Sequence, residues 1–263
     1  MKKGALFILF LSVAFSVNAQ EDAEFNKTDA AGKKQGHWVK YDDNHKKIYD
    51  GNFVNGVPVG KFIYYYDSGI PWAITTFSKN GTVAYTKHYN AGGKITGQGK
   101  YINQKKDSLW RFYNEDSVVI ATEIYLNGVK NGTSKVFYND GQVAEEKNWK
   151  NGKLNGSCKK YFQNGQLKYV GQYVDDKKEG KAVYYYSSGK IDGEGTYKDD
   201  LKEGTWKYYK EDGKERRTDQ YIDGKMVKST DLDYEPKEQI EKEKKNAEQL
   251  EMIDPFDQRY RPE

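Results

Sequence analysis

An all-β fold, an elongated antiparallel sheet of stacked β-hairpins with a short C-terminal helix, is predicted by three features of this sequence. The first is a period. Stepping by 24 residues from Gly36 lands on Gly60, Ala84, Ser108, Gly132, Gly156, Gly180 and Gly204, with no insertion or deletion. The second is a pair of aromatic columns. Five positions after each start stand Tyr41, Tyr65, Tyr89, Tyr113, Phe137, Tyr161, Tyr185 and Tyr209. Seventeen positions after each start stand Phe53, Phe77, Tyr101, Tyr125, Trp149, Tyr173, Tyr197 and Tyr221. The third is a set of turn signals: Asp140-Gly141, Asn164-Gly165 and Asp212-Gly213 at a first turn, and Asn55-Gly56, Asn127-Gly128, Asn151-Gly152 and Asp223-Gly224 at a second. Such dipeptides favour positive φ at both central residues and match the twist of a hairpin. Self-similarity at a fixed period marks a repeat architecture.

Within a unit the strands can be placed. In the seventh copy, Lys181 to Tyr186 and Lys190 to Tyr197 are strand-like runs separated by Ser188-Gly189, and a second turn follows at Asp199-Asp200. One such hairpin cannot offset the entropy of ordering itself with the burial of two rings. The units must therefore stack, each ring burying against the same ring of its neighbours. Sixteen strands at about 4.8 Å give a twisted ribbon roughly 75 Å long. Composition agrees: 26 Gly and 23 Tyr serve tight turns and stacked rings, and a 31% charged fraction of both signs suits a long solvated surface.

The two ends differ from the array. Lys2, Lys3, the apolar run Ala5 to Val17 and the small residues of Val17-Asn18-Ala19 read as an export signal over 1–19, cleaved after Ala19. The 13-residue run is short for a spanning helix, which needs about 20. Residues 20–35 form a polar lead-in, 36–230 the eight repeats, and 231–263 a charged helix and docking tail. The helix is expected over about 236–251, with Pro236 in its first turn and Glu238–Lys242 and Glu241–Lys245 at i,i+4. Its apolar stripe is thin: Ile240, Ala247, Leu250 and Ile253. Net charge falls from +4 to +2 without Lys2 and Lys3; the 11 acidic and 6 basic residues of 231–263 make −5, leaving about +7 on residues 20–230. A basic body outside the cytosol points to envelope lipids, polysaccharide or acidic protein surfaces rather than nucleic acid. The single Cys158 excludes an intramolecular disulfide.

Gly-x-Trp-x-x-Tyr at Gly36 and Gly204, with Asp-Gly and Asn-Gly turns and Gly195-Thr196-Tyr197, resembles the MORN repeat. More closely it is similar to the 24-residue bacterial variant that goes under the name of a toxin–antitoxin family antitoxin. The resemblance covers Gly36 to about Val227. It implies a hairpin scaffold used in protein and membrane-associated assemblies. An exported chain cannot neutralise a cytosolic toxin, so the antitoxin label does not carry over. Copies three and four depart from the pattern: Ala84 and Ser108 replace the leading Gly, Ser117 the first-turn Gly, and Gln104-Lys105 the second turn. These departures read either as drift or as a bend or contact site.

No catalytic constellation emerges, and the expectation is a non-enzymatic chain with no cofactor and no metal site. His37, His45 and His88 fall in three different columns. Cys158 occupies the column of Trp38, Trp110 and Trp206 and reads as a small packed residue. Gly97–Gly99 and Gly193–Gly195 read as repeat chemistry rather than a phosphate loop, since neither opens a helix. Binding is more legible. The columns two and six positions after each start are expected on one strand face. Trp38, Trp110 and Trp206 alternate there with a ring at the far end in other copies, so that Tyr138, Phe162 and Tyr186 form a stripe beside Lys160 and Tyr184. The stripe reads either as gap-filling rings or as an aromatic recognition groove. Phe256, Arg259, Tyr260 and Arg261 make the tail a second candidate. The expected role is an exported scaffold, a subunit or adaptor of a periplasmic, outer-membrane or surface complex with envelope protein partners. The alternative is a binder of polysaccharide or of lipid head groups at a membrane surface.

Overall fold

The computed structural model describes residues 25–78, 80–230 and 245. The export signal and the tail residues Phe256, Arg259, Tyr260 and Arg261 lie outside the described residues; of the helix expected over 236–251, only Lys245 is described, and it is helical. Residues 25–230 form strands and turns, in two compact units, Met1–Gly93 and Lys94–Glu263.

The first unit holds β1 (Lys27–Thr28), β2 (Lys34–Tyr41), β3 (Lys47–Val54), β4 (Val57–Tyr65), β5 (Pro71–Ser78) and β6 (Val83–Tyr89). Each pairs antiparallel with the next. The second unit holds β7 (Ile95–Ile102), β8 (Lys105–Tyr113), β9 (Val119–Leu126), β10 (Val129–Lys130), β11 (Gly132–Phe137), β12 (Val143–Lys150), β13 (Lys153–Tyr161), β14 (Leu167–Val174), β15 (Lys177–Lys178), β16 (Gly180–Tyr185), β17 (Ile191–Lys198), β18 (Leu201–Tyr209), β19 (Glu215–Ile222) and β20 (Lys225–Ser229). They again run as hairpins side by side, with β10–β11 and β15–β16 acting as single interrupted strands against β9 and β14. The lead-in supplies half a hairpin: β1 pairs β2, and the Asn26 amide closes the rest of that edge by bonding Val39 N and O at 2.9 and 3.0 Å.

The two turns of the repeat differ in kind. At the second turn both central residues have positive φ, as at Asn55-Gly56 (51°, 79°), Asp199-Asp200 (50°, 69°) and Asn103-Gln104 (49°, 64°). That is the expected hairpin turn, and in copy three Asn103-Gln104 holds it. At the first turn only the last residue is left-handed, as at Gly165 (82°) and Gly213 (89°), while Asn164 and Asp212 stay at negative φ. There the carboxylate or amide instead caps the loop: Gln166 N donates to Asn164 Oδ1 at 3.1 Å and Lys214 N to Asp212 Oδ1 at 2.9 Å. His45 (60°) and Ser117 (62°) hold the left-handed place without being glycine.

The leading glycine marks a bulge. Between the pairs Glu194↔Lys207 and Thr196↔Glu203, one residue of β17, Gly195, faces three of β18, Gly204 to Trp206. The same shift occurs beside Gly60, Gly156 and Ser108. Gly204 takes φ +67°, and Ser108 takes +58° in the same place at the cost a β-carbon incurs there. Copy three, with Ala84, has no bulge: β5 and β6 pair without a shift from Ala73↔His88 to Ser78↔Val83. The departure at Ala84 is therefore a change of local geometry.

The bulge decides what packs. The ring two positions into one copy lies on the glycine that precedes it by eleven residues. A β-carbon at Gly51, Gly99 or Gly195 would stand 2.4, 2.3 or 2.2 Å from Phe62, Trp110 or Trp206. Each such ring is then gripped by column-seventeen rings: Phe62 by Phe53 (5.2 Å) and Phe77 (5.1 Å), Trp206 by Tyr197 (5.0 Å) and Tyr221 (6.4 Å). Trp110 and Trp206 also donate Nε1–H to Lys100 O and Thr196 O, each at 3.1 Å. The stacking thus runs between columns two and seventeen, not within one column. The column-five rings face the other way, because pairing such as Trp206↔Asp219 and Lys207↔Thr218 puts alternate residues on opposite sides.

We expect Gly195→Ala to lower stability by about 1–3 kcal/mol through overpacking against Trp206, and Ser117→Gly to raise it by about 1 kcal/mol by relieving left-handed strain. Urea midpoints of the two variants, moving in opposite directions from the parent, check both.

Candidate binding face

The ring-bearing side of each unit, called the aromatic face, carries lysine lids over several of its rings. The residue two before the next copy's start is Lys34, Lys106, Lys130, Lys178 or Lys202. Lys202 Nζ lies 4.6 Å from the Trp206 ring centre and 5.1 Å from Tyr221; Lys106 lies 4.6 Å from Trp110 and 5.1 Å from Tyr125. Burial holds the Lys106 ammonium below its usual value, and the ring quadrupoles stabilise the cation there.

The opposite face is a polar ladder built from column five. Tyr161 and Tyr209 donate to Glu146 and Glu194 of the preceding copy at 3.3 and 3.1 Å. Lys135 and Lys181 pair with the same carboxylates at 2.6 and 2.8 Å, and His37 with Asp50 at 2.8 Å. Hydrogen bonds from Lys135 and Lys181 hold Glu146 and Glu194 below the ordinary carboxylate range.

On the aromatic face of the second unit one stretch lacks the packed rings. Reading across the ladder from Trp110, the next places hold Glu123, Ser134, Lys147 and Cys158, before Gly171. The parallel line from Phe112 holds Ala121, Val136, Glu145 and Lys160, before Tyr169. Ser134, Val136, Glu145, Lys147, Trp149 and Lys160 are all half-buried, whereas Trp110, Tyr169 and Trp206 on either side are buried. Since Ser134 replaces a ring, Trp149 has no indole to pack against; its Nε1–H donates to Ser134 Oγ at 2.7 Å and Lys130 Nζ sits 4.7 Å over its ring. The charges are unequal. Lys147 and Lys160 share one carboxylate, Glu145, at 2.7 and 3.4 Å, while Lys130 pairs with the buried Glu123 at 2.6 Å.

The predicted stripe divides. Lys160 lies on this stretch and Tyr184 at its rim, within the buried cluster of Tyr169 (4.9 Å) and Trp206 (6.2 Å), its hydroxyl 2.9 Å from Tyr197. Tyr138, Phe162 and Tyr186 do not share that strand face, because the strand ends one residue earlier and they open the first turn. Tyr138 and Tyr186 lay their hydroxyls on Tyr161 O and Tyr209 O of the next copy, each at 2.7 Å, and Lys168 Nζ stands 5.6 Å from the Phe162 ring. Sequence reasoning missed Trp149, Lys147, Glu145 and Ser134. A signal was present: Ser134 is small where four other copies carry Trp or Phe. Cys158 is buried, and burial, then Glu145, pushes its thiol up to about 11, which fits a packed residue rather than a nucleophile.

Two outcomes follow. Lys181→Ala should let the Glu194 pKa rise toward the ordinary carboxylate range, because it removes the hydrogen bond that lowers it most. A depressed carboxylate stabilises the fold above its unfolded value and loses that contribution as pH falls through its folded value. The stability gap between parent and variant should therefore be present at neutral pH and close in acid, as read by urea unfolding across pH. Cys158 should resist alkylation in the native chain near pH 8 and react once urea unfolds it, as followed by mass spectrometry.

The MORN repeat matches residues 49–69, 169–191 and 186–200, and the MORN repeat variant matches 130–151 and 154–175. No curated protein matches the chain. Among solved structures, a TarM mutant from S. aureus crystallised with fondaparinux, alpha-GlcNAc-glycerol and UDP is 19% identical over 36% of this chain, with TM-score 0.29. A second TarM structure is 16% identical over 45%, with TM-score 0.25. This chain covers 19% of each TarM chain. A porin-like protein from Bacteroides uniformis is 10% identical over 65% of this chain and 86% of its own, with TM-score 0.19. Likenesses this slight carry no argument about arrangement or activity. What the family matches do establish is that MORN repeats are detected in both units of this chain.

Proposed function

We propose that this chain is an exported, non-enzymatic repeat scaffold that holds a protein partner of the bacterial cell envelope on its aromatic face. The reading treats the array as the 24-residue bacterial variant of the MORN repeat. The observation that carries it is the ring-poor stretch of Ser134, Glu145, Lys147, Trp149 and Lys160, half-buried between blocks of packed rings. A half-buried Trp149 near Lys147 and Lys160, which share the one carboxylate of Glu145, suits protein recognition, since Trp and Tyr anchors carry much of the energy of protein interfaces. The terminal run Lys2 to Ala19 supports export. Nothing in the site resembles a phosphate-tracking groove, so nucleic acid is not among the proposed partners.

A second reading has its own support. Tyr138, Phe162 and Tyr186 along the first turns, with Lys168 over Phe162, suit polysaccharide or lipid head groups. Retention on peptidoglycan or anionic liposomes that falls with salt and with Tyr138→Ala, Phe162→Ala and Tyr186→Ala would favour it over the first.

The scaffold reading is tested by cross-linked co-purification of the full chain from solubilised envelope. A specific protein partner is expected, retained at least tenfold less by Trp149→Ala with Lys147→Glu, a loss of about 1.4 kcal/mol or more. Recovery of no specific partner, or equal recovery by parent and variant, overturns it.

A further inference from the structure

We infer that the acidic C-terminal segment, residues 231–263, docks on this lysine-bearing stretch. The inference rests on the reading of the aromatic face as a docking surface. Charge is the first argument. The segment has 11 acidic and 6 basic residues and therefore carries −5, against about +7 on residues 20–230. On the stretch itself, Lys147 and Lys160 share the one carboxylate of Glu145. Both lysine side chains are about 30% exposed, so a further carboxylate can reach them. Half-buried charges of this kind are screened less than surface pairs, and pairing them with a new carboxylate is correspondingly favourable.

Reach is the second. The segment begins right after β20, at Thr230. The ladder from β20 through β19, β18, β17, β16, β14 and β13 to β12, which bears Lys147 and Trp149, is seven steps, or about 34 Å at the usual strand spacing. A run of 33 residues spans that distance even at about 1.5 Å per residue. The third argument is composition. Ile240, Leu250, Ile253 and Phe256 are interspersed with the acids, and the stretch offers Val136 and Trp149, half-buried, as apolar counterparts. A local effective concentration in the millimolar range makes even a weak intramolecular contact predominant.

Zero-length carbodiimide cross-linking of the full chain tests this, with peptide mapping by mass spectrometry and an equal mixture of isotope-labelled and unlabelled chains. Expected are bonds from Lys147 or Lys160 to carboxylates of 231–263 within one chain. They should fall at least tenfold in 0.5 M salt and in the full-length variant E238Q/E241Q/E243Q/E248Q. Bonds joining labelled to unlabelled chains, a second copy on the face, overturn the inference, as do cross-links that ignore salt or that never involve these lysines. Circular dichroism matching the parent checks that the charge variant keeps its sheet. The outcome is separable from that of the scaffold reading. Cross-links unchanged by the four Gln substitutions count against the docked segment alone, whereas partner retention indifferent to Lys147 and Trp149 counts against the face itself.

Discussion

The structure depends on a ring lying on a glycine. Within each unit the described strands lie side by side in one layer, so their apolar contacts are made along the sheet, from one hairpin to the next. Trp206 on Gly195, Trp110 on Gly99 and Phe62 on Gly51 do this at distances that no β-carbon would permit. The bulge at the start of each copy lowers the ring onto its glycine, and column-seventeen rings clamp it from both sides. The result is dense packing in a chain with few aliphatic residues.

Copies that lack this unit replace it with other chemistry. Thr75 and Thr86 meet as a buried hydroxyl pair at 3.0 Å in place of glycine and ring. Beyond Ala182, Tyr169 swings over Gly171 and fills the space from its own strand. At the last copy Asp219 stands where glycine would, fully buried and 3.1 Å from Arg217, which lies over the Tyr208 ring. Such a pair contributes specificity more than stability, since desolvation opposes the Coulomb gain. In the fifth copy the places of Arg217 and Asp219 hold Glu145 and Lys147, paired at 2.7 Å but half-buried rather than enclosed. Its Ser134, Lys147 and Glu145 leave the face half-open, and a site arises where the repeat is least regular.

The two sides of the sheet therefore do different work. One is a polar ladder of Tyr, Glu and Lys that repeats with the period, as in Tyr161–Glu146–Lys135 and Tyr209–Glu194–Lys181. The other buries the rings and carries the irregularity. The lysine lids over Trp110, Tyr197 and Trp206 place positive charge on that second side without exposing the rings. This combination of aromatic and cationic surface is what suits the face to an acidic, partly apolar occupant.

By itself the sequence determined the all-β hairpin architecture and the second turn, because these follow from backbone preferences of residues adjacent in the chain, such as Asn55-Gly56. It also separated the regular copies from Ala84 and Ser108. Only the tertiary structure decided which columns share a face. A bulge that sets Gly195 against three residues breaks simple alternation, and the ring that fills the gap comes from eleven residues away. For the same reason Tyr138, Phe162 and Tyr186, which counting by twos places beside Tyr184, stand in turns instead. The open stretch around Trp149 depends on what its neighbours in space fail to fill, and that is a property of the assembled sheet.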